Sequence, residues 1–307
     1  MVSAELYPFE DHYLDRGGLR YHFVDEDARP EGDPGSGGGE PVLMVHGNPT
    51  WSFYYRELIK SLRGRHRVVA PDHIGCGRSD KPSDDRYAYT MQSRVDDLTA
   101  LVERLDLRDL TLVVHDWGGA IGMAWAVQNP DRVARLVVLN TAAFHLPDGK
   151  GFPGSLALAR TPLLGDLLVR GANAFVRGAN RLCVTRRPMP RDVAQGYLAP
   201  YRSWRDRVAV HRFVQDIPLR EADPAYQLIS ETAAGLQRLA DKPMLIGWGM
   251  KDFVFDHHFL EEWERRFPQA SVHRFEDCGH YVLEDATEEL VELVDRFLHP
   301  DPARARA

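Results

Sequence analysis

An acid sits where a strand should turn into a helix. The apolar run Thr111-Leu112-Val113-Val114 leads into His115-Asp116-Trp117-Gly118-Gly119, and a helical stretch from Ala120 to Gln128 follows. An elbow of this kind ends a strand in a sharp turn, lifts one side chain to the top of a parallel sheet and sets a helix N-terminus beneath it. Serine is the usual occupant, and with a histidine base it acylates at carbonyls. A carboxylate does different chemistry: it displaces a leaving group from carbon and is itself released from the resulting ester or anhydride. Aspartate is also a common helix N-cap, so reading Asp116 as a nucleophile depends on what else the chain supplies.

A nucleophile elbow requires an anion-stabilising turn upstream, an acid after a later strand and a histidine near the C-terminus, in the order nucleophile, acid, histidine. All three are present. Val42-Leu43-Met44-Val45 reads as a strand running into His46-Gly47-Asn48-Pro49, a turn able to aim backbone N–H groups at a developing anion. Pro243 to Gly249 reads as another strand, with Lys251-Asp252 at its exit. Asp277-Cys278-Gly279-His280 follows the strand Val272 to Phe275 and precedes a last helix from Glu284 to Leu298. A histidine or a loop aspartate is ordinary taken singly, and His46 reads as a structural brace for its turn. The joint order, with each group on a strand exit, is what selects Asp116, His280 and Asp252.

The segments His46-Gly47-Asn48-Pro49-Thr50-Trp51 and Pro71 to Pro82, the elbow, and Gly279-His280-Tyr281 resemble the haloalkane dehalogenase branch of the α/β-hydrolase superfamily, over about Tyr21 to Leu298. The resemblance implies an α/β-hydrolase fold, a mostly parallel central sheet flanked by helices with an inserted helical cap. It also implies roles: Asp116 as nucleophile, His280 as general base, Asp252 as the acid that orients it, and the side chains of Asn48 and Trp117 as the two N–H donors that hold the departing anion. Some members of the branch place the acid after the preceding strand. Here Val137-Val138-Leu139-Asn140-Thr141 offers asparagine at that point, which leaves Asp252.

Within the branch, Asn140 to Phe144, Tyr197 to Tyr201, Arg212 to Pro218 and Gly279 to Asp285 resemble the β-lactone decarboxylases of bacterial long-chain olefin biosynthesis. These segments span cap as well as core, and the cap builds the substrate chamber. The resemblance implies conversion of cis-3,4-dialkyl-β-lactones to cis-olefins and CO₂, with Phe144, Tyr197 and Tyr201 as candidate pocket residues. A haloalkane dehalogenase is the alternative, because halide and ring carboxylate are both anionic leaving groups on sp³ carbon. Tyr197 and Tyr201 raise a third option, since epoxide hydrolases set an Asp nucleophile beneath two cap tyrosines; both could equally be packing residues. A non-catalytic scaffold is a fourth, opposed by the intact set of three catalytic residue types. Attack by Asp116 at the ring carbon or at the lactone carbonyl are both open.

The elements that must position these residues alternate as a parallel α/β sheet requires. Strands are expected at Arg20 to Val24, Arg67 to Ala70, Leu110 to Val114 and Leu136 to Leu139, with helices around Tyr54 to Leu62, Gln92 to Leu105 and Ala120 to Asn129. The glycine-rich Gly32 to Gly39 lacks a following Lys-Ser/Thr and precedes a strand, so it reads as a connection and not a phosphate cradle. Between His145 and Arg220 the alternation lapses into helical pieces broken by seven prolines. Residues 145–220 are therefore expected to form the helical cap, with 1–144 and 221–307 as the core. Leu156, Leu158, Leu163, Leu164, Leu167, Leu168, Val169, Phe175 and Val176 would pack the cap on the core or line an apolar tunnel above Asp116.

With 307 residues, 44% of them hydrophobic, the chain can build one large α/β domain with an insertion. No apolar run approaches the roughly 20 residues that span a bilayer, and Met1 to Glu10 lacks the regions of a signal peptide, so a cytoplasmic protein is expected. Cys76, Cys183 and Cys278 suggest neither a disulfide framework nor a metal cluster, and no cofactor enters the reading. Residues 145–220 carry 13 Lys and Arg against 5 Asp and Glu, a net +8 in a chain of net −7, leaving −15 for the remainder. Opposite signs can simply complement each other, or a basic face could dock an acidic partner such as another olefin-biosynthesis enzyme, the β-lactone synthetase for example. The basic residues are too dispersed for nucleic acid. The expected ligand is a small apolar or lipid-derived molecule.

Overall fold

A computed structural model describes residues 2–27 and 39–300. The glycine-rich connection, save Gly39, lies outside the described residues. The strands are β1 (His12–Asp15), β2 (Arg20–Glu26), β3 (Gly39–Val45), β4 (His66–Pro71), β5 (Leu110–Asp116), β6 (Val133–Thr141), β7 (Met244–Gly249) and β8 (Ser271–Phe275). They form one eight-stranded sheet in the order β1-β2-β4-β3-β5-β6-β7-β8. β1 and β2 pair antiparallel, β2 meets β4 antiparallel, and the rest of the sheet is parallel. Seven strands stand where the apolar runs placed them. The eighth, β1, is a four-residue edge strand of alternating half-buried and exposed residues, too short and too polar to stand out in the sequence.

The helices are α1 (Arg56–Leu62), α2 (Met91–Arg104), α3 (Trp117–Gln128), α4 (Gly154–Arg160), α5 (Ala174–Leu182), α6 (Arg191–Leu198), α7 (Val208–Gln215), α8 (Tyr226–Gly235), α9 (His257–Arg266), α10 (Val282–Asp285) and α11 (Thr287–Leu298). Side chains on a strand alternate between faces, and the central strands are buried on both. Leu43, Val45, Leu112 and Val114 join the core under α2, α3 and α8. Val42, Met44 and Val113 join the opposite core under α1 and α11. The run expected as one last helix is two, α10 and α11, because Ala286 leaves the helical region at φ −120°, ψ 43°. The Asp285 carboxylate ahead of that break accepts the backbone N–H groups of Gly279 and Thr185, tying the helix start to the loop that carries His280.

Between β6 and α8 the chain leaves the sheet. α4, α5, α6, α7 and a π-helical turn at Asp166–Gly171 occupy this stretch, and Ala159, Val169, Val176, Tyr201, Val210 and Val214 make a small hydrophobic core of their own there. No helix among the described residues is long and apolar enough to cross a membrane.

Candidate active site

Asp116 is the last residue of β5 and sits at φ 51°, ψ −128°, a conformation that L side chains rarely adopt. Such strain persists only where the surroundings over-determine it. Here the pairing of β5 with β6 shifts register between His115 and Asp116, and the Thr141 hydroxyl donates to the Asp116 carbonyl. Two glycines let other groups approach closely: a Cβ on Gly118 would lie 1.9 Å from the Val45 carbonyl oxygen, and one on Gly47 2.1 Å from Asp116 Oδ1 of the side chain. The carboxylate does not cap α3 through any side-chain hydrogen bond. It turns instead to the upstream turn, where the Asn48 backbone N–H donates to Oδ1 at 2.5 Å.

His280 Nε2 lies 3.5 Å from Asp116 Oδ2, and its Nδ1 donates to Asp252 Oδ2 at 2.7 Å. Parallel pairing explains the convergence. β5, β6 and β7 are adjacent, so the loops leaving their C-terminal ends meet. Asp252 leaves β7 beside Asn140 of β6; the loop after β8 folds back so that Lys251 N–H donates to the Cys278 carbonyl at 2.8 Å. Asp252 is buried and fully engaged: Oδ1 accepts the Val254 N–H at 2.7 Å, and Oδ2 accepts Asn140 Nδ2 at 3.0 Å as well as His280. Asn140, the asparagine at the alternative acid position, thus touches the acid that stands one strand away. Its own Oδ1 accepts the Gly249 N–H at 2.8 Å, which locks its orientation.

Two residues of the site were not legible as functional. Buried His115 donates from Nε2 to the His280 carbonyl at 2.9 Å and lies with its ring 4.7 Å from that of His280. Tyr54 stacks on its other side at 4.3 Å. The place of His115 directly before Asp116 was visible, but its partner comes from a loop distant in sequence. His46 does brace its turn, with Nδ1 donating to the Gly47 carbonyl at 2.7 Å and Nε2 accepting the His73 N–H at 3.0 Å.

Burial opposes a charge on His280, yet the Asp252 carboxylate and the bond to Asp116 outweigh it and hold the imidazole up to about 10. Asp116, despite burial that favours its neutral form, stays below the ordinary carboxylate range because His280 faces it and Asn48 N–H bonds it. Burial, followed by the neighbouring His280, presses His115 down to about 3. At neutral pH the set is therefore a carboxylate facing an imidazolium, with a neutral histidine behind it.

These groups form the floor of a cavity of about 410 Å³ between the sheet and the helical stretch, with Asn48, Asp116, Trp117 and His280 on the floor. Phe144, Leu156, Leu168, Phe175, Val214 and Phe255 are among the apolar walls. The Trp117 indole N–H is free of any hydrogen-bond partner among the described residues. The Asn48 amide is not: Nδ2 donates to the Val210 carbonyl of α7 at 3.1 Å, so one of its two N–H bonds braces the cap.

Tyr197 and Tyr201 do not line the cavity, which corrects the expectation for both. Tyr197 is fully buried among Phe53 and Tyr281 and donates its hydroxyl to Glu284. Tyr201 belongs to the cap's own core and donates to the Thr50 carbonyl at 3.3 Å. A phenol cannot leave an interior hydrogen bond without cost, so the pair fastens the cap to the core, and the two-tyrosine arrangement of an epoxide hydrolase is missing. Outside the cavity Asp256, His257 and His258 bring three possible metal ligands together, but Asp256 is already bonded to Lys150 at 2.7 Å and to the first turn of α9.

Residues 40–287 match the model of a family described as alpha/beta hydrolase fold. A cis-3-alkyl-4-alkyloxetan-2-one decarboxylase of Shewanella oneidensis is 51% identical, covering 95% of this chain and 89% of its own length. A protein of the same name from Xanthomonas campestris is 46% identical, covering 96% of this chain and 98% of its own. Among solved structures, the haloalkane dehalogenase DatA of Agrobacterium tumefaciens superposes with a TM-score of 0.82 at 25% identity, over 96% of this chain and 98% of its own.

Proposed function

Because the chain belongs to the alpha/beta hydrolase fold family, and within it to the group of the cis-3-alkyl-4-alkyloxetan-2-one decarboxylases, we propose that it is a β-lactone decarboxylase that converts cis-3,4-dialkyl-β-lactones to cis-olefins and CO₂. The observation that carries the reading is the Asp116 carboxylate facing His280 at the floor of an apolar cavity, in a chain 51% identical to such a decarboxylase.

In this reading Asp116 attacks the ring carbon bearing oxygen from the back. The ring C–O bond breaks, its electrons go to the ring carboxylate, and an ester to Asp116 forms anti to that carboxylate. The indole N–H of Trp117 and the remaining Asn48 amide N–H hold the departing anion. The C–CO₂⁻ bond then breaks, its electrons become the second bond of the alkene, and Asp116 leaves as the carboxylate it was. Inversion followed by anti elimination turns a cis lactone into a cis alkene with no water consumed. An imidazolium held up to about 10 suits this cycle, since its charge steadies Asp116 and the departing carboxylate. In a dehalogenase cycle His280 would take a proton from water after Asp116 is esterified, when the carboxylate that helps raise the imidazole has lost its charge, so products and not titration separate the two cycles.

The same reading takes the protein to act in the cytoplasm, downstream of a ring-closing enzyme such as a β-lactone synthetase, because a strained four-membered lactone must be supplied by a cyclisation. The test is product analysis with a cis-dialkyl β-lactone and a bromoalkane, run in ¹⁸O-water. Cis-olefin should form from the lactone while the Asp116 carboxylate stays unlabelled. Intact lactone with rapid bromide release would make the dehalogenase reading the right one, and heavy label in Asp116 during lactone turnover would overturn the water-free route.

A further inference from the structure

Nine large hydrophobic residues are exposed among the described residues, and six of them crowd one place. Leu158, Leu182 and Phe253 are exposed while lining the cavity, so the cavity opens among them. Leu163, Leu164 and Leu167 lie in the turns between cavity-lining Ala159 and Leu168, with Leu163 78% and Leu167 61% exposed. Scattered surface leucines need no explanation, but six of nine exposed large hydrophobics that line one cavity or sit within a few residues of its lining do. Leu163 is also held at φ 62°, in the left-handed region where Gly or Asn sits without strain and a leucine does not.

The patch is flanked by positive charge. Residues 158–182 contain four arginines and a single acid, Asp166. Arg160 is spent on the carbonyls of Val214 and Ile217, and Arg170 pairs with Asp166 at 3.8 Å. Arg177 and Arg181 of α5 are exposed and have no partner among the described residues. Their i, i+4 spacing sets them in a row beside Ala174 and Gly178, at the edge of the α5 face that lines the cavity.

We propose that this mouth docks on an anionic lipid surface, the leucines entering the headgroup and acyl boundary and Arg177 and Arg181 meeting lipid phosphates. Apolar side chains on protruding turns, flanked by arginine, are what interfacial binding uses. Lys150, Arg186 and Arg212 of the stretch 145–220 pair with core acids, whereas Arg177 and Arg181 beside the mouth do not, so the charge left for an anionic surface lies at the mouth. The docked cavity opens directly into the lipid phase, where a molecule with two alkyl chains resides. Only that last consequence rests on the decarboxylase reading.

The test is co-sedimentation of the full chain with vesicles of phosphatidylglycerol and phosphatidylcholine, against vesicles of phosphatidylcholine alone. Wild type should sediment with the anionic vesicles and be released by salt. The double substitutions Leu163→Ser with Leu167→Ser, and Arg177→Glu with Arg181→Glu, should each weaken vesicle affinity by roughly tenfold or more. Circular dichroism should be unchanged in both, as should turnover of a short-chain lactone dissolved in water. Wild type left in the supernatant, or variants that bind as tightly as wild type, would overturn the proposal. Vesicle binding is read without turnover, so a protein that sediments yet leaves lactones intact would refute the decarboxylase reading alone.

Discussion

The floor and the mouth of one cavity follow opposite rules. At the floor, charged groups are buried and held in place: Asp252 accepts three hydrogen bonds, Asn140 is locked by Gly249, and His280 is held between two carboxylates. At the mouth, apolar side chains meet water and two arginines have no partner among the described residues. Pre-organised polar groups in a low-dielectric site stabilise developing charge without reorganising, so geometry there must be rigid. The mouth only has to admit and shelter alkyl chains, which needs area and not direction. Substitutions at the floor should therefore change the chemical step, and those on the walls should change which substrate is taken.

The sharpest break is Asp116→Asn. It keeps the shape and an oxygen for the Asn48 N–H but removes the nucleophile, and turnover of the lactone should fall by about 10⁴-fold or more, with the melting temperature near that of wild type. A variant that retains a tenth of the activity would remove Asp116 from the chemistry. Trp117→Phe comes next. It deletes the unpartnered indole N–H while preserving an aromatic ring against Phe213, and kcat should drop by roughly 10²- to 10³-fold, as for loss of an oxyanion donor. The same substitution should leave KM nearly unmoved; a change confined to KM would make Trp117 a wall residue.

Titration sharpens the comparison further. Asp116 ionises below the ordinary carboxylate range and His280 loses its proton only near about 10, so kcat/KM should hold steady from mildly acidic pH and decline as pH rises towards that value. Because the folded His280 is raised above its ordinary value of 6.5, its contribution to stability is complete below 6.5 and is lost as pH climbs through about 10. Asp252→Asn removes the first group that raises it, so the alkaline decline should begin at lower pH. An unshifted limb in that variant would show that another group sets it.

The smallest effect is expected on the wall. Phe144 packs against Trp263 at 5.2 Å and lines the cavity. Truncation to Ala should raise KM for long-chain lactones and cost about 3 kcal/mol of stability, the low end for a Phe→Ala change because the space left joins an existing cavity. The check is denaturant unfolding beside KM for a series of chain lengths. A fall in kcat as large as that of Trp117→Phe would erase the distinction between floor and wall.

Much of the floor was legible in the amino-acid order. Strand-forming runs, the glycines at Gly47, Gly118 and Gly119, and the succession Asp116, Asp252, His280 all announce themselves locally, because a strand needs apolar β-branched residues and a tight elbow needs residues without side chains. The walls were less legible. An apolar cap residue is the same letter whether it lines a cavity, packs a core or faces water. Leu168 does the first, Val176 the second and Leu163 the third.

By itself the sequence determined the sheet's strands and the order Asp116, Asp252, His280 along their exits, since hydrophobic period and turn chemistry act over a few residues. Tertiary structure alone decided what each of those residues touches. It gave the Asn48 backbone N–H to Asp116 and one of its amide N–H bonds to Val210, set Asn140 on Asp252, placed the His115 imidazole behind His280, and withdrew Tyr197 and Tyr201 into the packing of the cap. Each of these is a contact between segments far apart in the chain, fixed by strand register and by the way the helical stretch folds back over the sheet, and no local pattern encodes which distant carbonyl a buried donor will find.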